Sequence, residues 1–265
     1  MPSASIIQTR GINLDIIDQG SGQPVVFLHP GEGLDRCGPF LEGLGALGRL
    51  IAPYHPGFGR TELPLEFKTV NDLAYFYLDL FDQLDLQDTL LIGAELGGWI
   101  AAEIAVRNTR HLSRLVLIDT VGARFAKDET EVEIEDIFTM LPAEVEGRSY
   151  REPAKWKRDH AALSDDALQI IARNRESFCL FGWAPYMHNP ALRRWLHRID
   201  RPTLVLWGEH DGLVSAHYGR AFAAAIPGAL FATIKEAAHF PHIEQPHDTL
   251  AAIRTFVAKQ QRRGA

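Results

Sequence analysis

Cysteine is nearly absent from this sequence: Cys37 and Cys179 stand apart, in no C-x-x-C or other metal-ligand spacing. Neither a disulfide scaffold nor a thiolate metal site is therefore expected, and both are read as free thiols. Nowhere do about 18 apolar residues run together, and the stretch from Met1 to Ile16 holds no basic patch followed by a long apolar run. A membrane partner and an export signal are accordingly not expected, and a cytoplasmic protein is. An excess of positive charge is missing too: 27 Lys and Arg face 34 Asp and Glu, with short basic pairs such as Arg193-Arg194 and Arg262-Arg263. Nucleic acid is thus not an expected partner. No G-x-G-x-x-G follows the first strand and no ligand cluster occurs, so no organic cofactor and no metal are expected.

What the chain does have is apolar material, 46% of 265 residues, enough to cover both faces of a sheet. Residues Ile6 to Ile17 alternate around Gly11, which reads as an opening hairpin at an antiparallel edge. Short continuous apolar runs then recur, each followed within two residues by Gly, Pro or Asp: Val25–Leu28, Leu50–Ala52, Thr89–Ile92, Leu115–Ile118 and Thr203–Trp207. Runs apolar on both faces fit buried parallel strands. Leu73, Phe76, Leu80 and Leu84 have helical spacing, and helices are also read over Tyr218–Ile226 and Asp248–Gln261, with a last strand over Ala229–Ile234. Alternating strands and helices predict an α/β fold with a mostly parallel central sheet flanked by helices.

One stretch breaks the alternation. Residues 126–199 are rich in helix formers and carry Trp156, Trp183, Tyr186 and Trp195. The stretch is too long for a loop, and is read as an inserted helical cap over a core formed by 1–125 and 200–265. No repeat or linker suggests a second independent domain.

The segment Ile92-Gly93-Ala94-Glu95-Leu96-Gly97-Gly98-Trp99 runs from a strand through a sharp turn into a helix, with glycines two positions before and after Glu95. Small residues there let strand and helix approach while the central residue takes a strained turn. With this nucleophile-elbow pattern the chain resembles the α/β-hydrolase superfamily over nearly its whole length. Leu28-His29-Pro30-Gly31 is similar to that family's oxyanion loop, and Pro53 to Thr61 to its glycine-containing loop beside the site. Trp207-Gly208-Glu209-His210-Asp211 resembles its acid turn, and Ala237-Ala238-His239 its histidine loop.

The resemblance implies catalytic residues Glu95, Asp211 and His239, in the family's order of triad members, and oxyanion N–H groups from Gly31 and Leu96. An aspartate after a strand can instead cap the next helix, and His242 is a rival to His239 that is read as structural. Substrate contacts are expected from His29, Trp183, Tyr186 and His188. His29 has a structural histidine as its plain alternative, and the aromatic residues have simple packing of the lid. Glu32 is expected to point away from the oxyanion groups.

Glutamate stands where the family's serine is usual, so no hydroxyl is available for His239 to deprotonate. Glu95 is left as a nucleophile, like the aspartate of epoxide hydrolases and haloalkane dehalogenases, or as a general base. The expected activity is hydrolysis of a small, largely hydrophobic ester, epoxide or related electrophile. The alternatives are non-hydrolytic proton-transfer or lyase chemistry, and a catalytically inactive small-ligand-binding protein on the same fold. The partner expected is a small-molecule substrate, with a homodimer left open.

Overall fold

The computed structural model describes residues 5–128 and 131–264, with the side chains of 261–264 left outside the description. The Arg262 and Arg263 side chains and the first four residues of the chain therefore lie outside the described residues. The strands are β1 (Ser5–Thr9), β2 (Ile12–Gln19), β3 (Pro24–Leu28), β4 (Arg49–Pro53), β5 (Thr89–Ala94), β6 (Leu112–Ile118), β7 (Thr203–Gly208) and β8 (Leu230–Ile234). The helices are α1 (Gly38–Gly45), α2 (Val70–Gln83), α3 (Leu96–Arg107), α4 (Pro142–Ser149), α5 (Pro153–Trp156), α6 (Asp165–Gly182), α7 (Leu192–Trp195), α8 (Ala216–Ala224), α9 (Pro241–Glu244) and α10 (Pro246–Gly264).

The strands form one eight-stranded sheet in the order β1-β2-β4-β3-β5-β6-β7-β8. The β1–β2 and β2–β4 pairs are antiparallel, as the opening hairpin predicts, and every later pair is parallel. Arg10 and Gly11, both at positive φ, make the hairpin turn.

The apolar runs divide by alternation. Val26, Leu28, Leu91, Leu115, Leu117, Val205 and Trp207 join a core with side chains of α2, α3 and α8. Their neighbours Val25, Phe27, Leu90, Ile92, Val116, Leu204 and Leu206 join a second core with α1 and α10. Period-two strands covered on both faces account for the continuous apolar runs.

Strand order reverses around β3, which lies between β4 and β5. The loops after β3 and β5 leave the sheet together at this point, where open α/β sheets bind ligands. Residues 126–199 supply no strand of this sheet among those described; they hold α4 to α7. Helix α6 docks on the loops at the strand ends: Asn174 accepts from the Gly59 N–H at 2.8 Å and donates to the Glu32 carbonyl at 3.0 Å, and Ser177 donates to the Gly57 carbonyl at 2.7 Å. Both cysteines are free thiols, Cys37 buried and Cys179 exposed. Among the described residues no helix is long and apolar enough to cross a membrane.

Candidate active site

Glu95 occupies the turn between β5 and α3 at φ 48° and ψ −110°, a conformation costly for any residue with a Cβ. The turn is held by its N–H on the Ile118 carbonyl at 2.9 Å and by the Trp99 N–H on its own carbonyl at 3.0 Å. The flanking glycines are sterically required. A Cβ on Gly93 would lie 2.2 Å from the Gly97 carbonyl oxygen, and one on Gly97 would lie 2.0 Å from that of Leu28.

The Glu95 side chain is buried and folds back toward the oxyanion loop, where Oε2 accepts the Gly31 N–H at 2.6 Å. The Leu96 N–H also bonds the carboxylate. Both N–H groups expected to hold an oxyanion are thus engaged by the Glu95 carboxylate itself. Burial pushes its pKa up, the charge of His239 and the two N–H bonds pull it down, Glu32 pushes it up again, and the net displacement is upward.

Asp211 follows β7 and His239 follows β8. Oδ2 of Asp211 lies 2.8 Å from Nδ1 of His239, both side chains being buried. Oδ1 of Asp211 accepts the N–H groups of Leu213 and Val214 at 2.9 and 3.0 Å, so three donors orient this carboxylate. The pair fixes Nδ1–H as the donor and leaves Nε2 for chemistry. Burial works to lower the His239 pKa, but the charge and hydrogen bond of Asp211, with Glu95 and Glu32 behind them, carry it above the ordinary histidine value. The three residues singled out as catalytic are therefore brought to one site, with Glu95 and His239 inside each other's field. Glu32 is turned toward the Tyr150 hydroxyl at 3.2 Å and Arg158 at 4.0 Å, yet its charge still reaches both.

The expected substrate contacts fare differently. His29 is fully buried, its Nδ1 bonded to the Pro30 carbonyl at 2.7 Å and its Nε2 accepting from the His55 N–H at 3.0 Å, with the two ring centroids 3.7 Å apart and the rings tilted by 31°. With both nitrogens engaged it has nothing to offer a substrate, and its role is to brace the oxyanion loop. Tyr186 lies within charge range of Glu95, but its hydroxyl accepts from the Ile137 N–H at 3.0 Å and donates to the Glu135 carbonyl. His188 bonds the Tyr186 carbonyl through Nδ1 at 2.7 Å and bridges to Gly122. Trp183 is 61% exposed, its ring against Phe138, on the outside of the insertion.

Two residues at the site escaped the sequence reading. Phe178 of α6 lies over the oxyanion loop so closely that a Cβ on Gly31 would come within 2.6 Å of its ring. The signal was the stripe Asn174, Ser177, Phe178 and Phe181 at helical spacing. Asp119 directly follows β6, next to the turn after β7 that holds Asp211, and among the described residues Asp119, Asp211 and His239 are the one trio of potential metal-ligating side chains whose atoms lie within 4.8 Å of one another. Two of the three are joined directly, by the Asp211–His239 bond. An open groove of about 720 Å³ lined by Arg10, Leu63, Phe67 and Tyr75, among others, shares no residue with this site.

A family model described as the alpha/beta hydrolase family matches residues 25–253. Among curated proteins, the 2-hydroxymuconate semialdehyde hydrolase of Pseudomonas sp. (strain CF600) is 24% identical over 96% of this chain and 93% of its own. Among solved structures, a malate-bound thermophilic esterase from Thermogutta terrifontis superposes with TM-score 0.76 at 26% identity, covering 97% of this chain and 98% of its own. A meta-cleavage product hydrolase from Pseudomonas fluorescens IP01 superposes with TM-score 0.79 at 19% identity over 97% and 98%, a likeness of fold.

Proposed function

We propose, given that this chain belongs to the alpha/beta hydrolase family, that it hydrolyses a small, largely hydrophobic ester, epoxide or related electrophile, with Glu95 as nucleophile and the Asp211–His239 pair as the base that activates water. The observation that carries this reading is the 2.6 Å bond from the Gly31 N–H to Oε2 of Glu95. With Oε2 held by the Gly31 N–H, Oε1 is the oxygen that attacks in this reading.

That arrangement favours one electrophile class within the range. Attack on an ester carbonyl creates an oxyanion that needs the two N–H groups already engaged by the Glu95 carboxylate, so the carboxylate would have to vacate them. Attack on a saturated carbon, as in an epoxide, breaks the C–O bond and places the developing charge on the epoxide oxygen, away from those N–H groups. That oxygen takes a proton from solvent water, and the product is a glutamyl hydroxyalkyl ester whose carbonyl oxygen is Oε2. Water deprotonated by Nε2 of His239 then attacks that ester carbon, and the resulting oxyanion sits on the N–H groups of Gly31 and Leu96. The product is the diol and Glu95 is regenerated. Phe178 over Gly31 supports an apolar substrate.

A second reading, Glu95 as general base, draws support from its burial and upward-displaced pKa, which make it a stronger base than an ordinary carboxylate. The two are separated by a panel of p-nitrophenyl esters and styrene-type epoxides, assayed with the natural protein, Glu95→Gln and His239→Ala. Covalent chemistry predicts that His239→Ala accumulates an adduct on Glu95, raising the intact mass by that of the whole epoxide. Consumption of substrate with no adduct leaves the base reading. No turnover by the natural protein on any substrate leaves a ligand-binding protein.

A further inference from the structure

Neighbouring parallel strands bring Asp119, at the end of β6, beside Asp211, in the turn after β7. Asp119 sits at φ 41°, left-handed for a residue with a Cβ. Its N–H donates to the Leu206 carbonyl at 3.0 Å, and its Oδ1 accepts the Gly208 N–H at 2.9 Å. Its Oδ2 is buried without a partner if the group is an anion. An oxygen of each carboxyl group and a ring nitrogen of His239 nonetheless lie within 4.8 Å of one another, and the two carboxyls act on each other directly.

Two buried carboxylates in contact do not both stay ionised. Asp211 receives three donors, the N–H groups of Leu213 and Val214 and Nδ1–H of His239, whereas Asp119 receives one. The anion is therefore better stabilised on Asp211 and the proton on Asp119. Placing that proton on Oδ2 gives the orphaned atom a partner and gives Asp211 a fourth donor. Burial, the charge of Asp211 and the more distant charge of Glu244 all push the Asp119 carboxyl toward the protonated form, against the single Gly208 N–H bond.

We propose that Asp119 is a positioning residue, a protonated carboxylic acid that donates from Oδ2 to Asp211 and holds the Asp211 carboxylate against Nδ1 of His239. The proposal rests on Asp211 and His239 acting as an acid–base pair. Its effect on His239 is electrostatic as well as geometric, because a carboxylate that accepts a further hydrogen bond stabilises the imidazolium less. Glu95 and Glu32 act on the same ring from the other side and are left in place by the test.

The test is the titration of His239 by NMR in histidine-labelled natural protein, Asp119→Asn and Asp119→Ala, with infrared difference spectra of the first two at neutral pH. Asparagine can still accept from Gly208 and donate to Asp211, so Asp119→Asn is expected to keep the natural midpoint. Asp119→Ala removes the donor and is expected to move the midpoint upward by about half a pH unit or more. The natural-minus-Asn infrared spectrum is expected to show a carboxylic-acid carbonyl band. If Asp119 is ionised instead, Asp119→Asn removes a negative charge, the His239 midpoint falls and no acid band is lost; that result overturns the proposal. Should Asp119→Ala fail to fold, the asparagine comparison alone decides. These readouts need no substrate, so a protein that turns nothing over yet passes them refutes the hydrolase reading and leaves Asp119 as described.

Discussion

Glu95 is a residue whose position could be read from its neighbours and whose conformation could not. Glycines two places to either side announce a tight strand-to-helix turn, and the backbone meets that expectation at φ 48°. Nothing in the sequence says that the longer side chain bends back so that its own carboxylate sits on the Gly31 and Leu96 N–H groups. His29 marks the same boundary: its place after a buried strand was legible, but its two internal hydrogen bonds come from the Pro30 carbonyl and the distant His55 backbone. The elbow geometry also makes a prediction. Glu95→Ser withdraws the carboxylate from both N–H groups and puts a hydroxyl on the turn, facing a histidine already oriented by Asp211. It is expected to raise p-nitrophenyl acetate hydrolysis by on the order of tenfold or more over the natural protein, since a freed donor pair is worth at least that much. A variant with native circular dichroism and no gain would show that the N–H pair and Nε2 of His239 do not converge on one substrate carbon.

Elements differ in legibility for physical reasons. The buried strands stand out as apolar runs because both their faces are covered, and α2 stands out because its apolar residues keep one face. Helix α1 is hidden: Gly38, Gly43 and Gly45 dilute its period and lower its propensity, and burial of Phe40, Leu41 and Leu44 against the sheet forms it instead. Helices α4 and α5 are short and polar, and the sequence yields only the extent of the insertion, not its parts. Helix α6 is the element that joins insertion to site, through Asn174, Ser177 and Phe178. Asn174 is buried and bonds both the Gly59 N–H and the Glu32 carbonyl. Asn174→Ala strands those two groups, at a cost of about 1–3 kcal/mol, and the loss is expected to fall on the docking of α6 rather than on the sheet. Limited proteolysis should then cut within 126–199 several times faster, while slow amide exchange of β5 and β6 is unchanged. Equal cleavage rates in the variant and the natural protein would mean that α6 is held by its apolar contacts alone.

For the molecule as a whole, an antiparallel edge on an otherwise parallel sheet followed from the order of runs and turns, whereas its response to acid depends on what tertiary burial does to histidines. His29, His55 and His242 are all fully buried and held neutral: burial lowers His29 to about 4 and His242 to about 3, and lowers His55 well below its ordinary value, with His29 adding to the effect there. His242 is the simplest of the three, caged by Phe27, Phe40 and Phe240, with no hydrogen-bond partner at either nitrogen. The unfolded chain binds a proton at each of these positions below about pH 6.5 while the folded chain does not, so stability falls as pH falls. The slope is up to about 1.4 kcal/mol per pH unit for each histidine until its folded value is reached. His239 runs the opposite way, since its raised folded pKa gives stability that is present in acid and lost as pH rises through that value. Among the histidines three lowered groups outweigh one raised group, so their joint contribution is destabilisation on acidification from neutrality, while the raised carboxyls of Glu95, Asp119 and Glu244 work in the opposite direction. His242→Leu, close in volume and free of the proton, should therefore retain about 2 kcal/mol more of its neutral-pH stability at about pH 5 than the natural protein does. Urea unfolding at both pH values measures this directly, and parallel pH profiles for the two proteins would mean that His242 finds a partner or a route to water that lets it charge within the folded state.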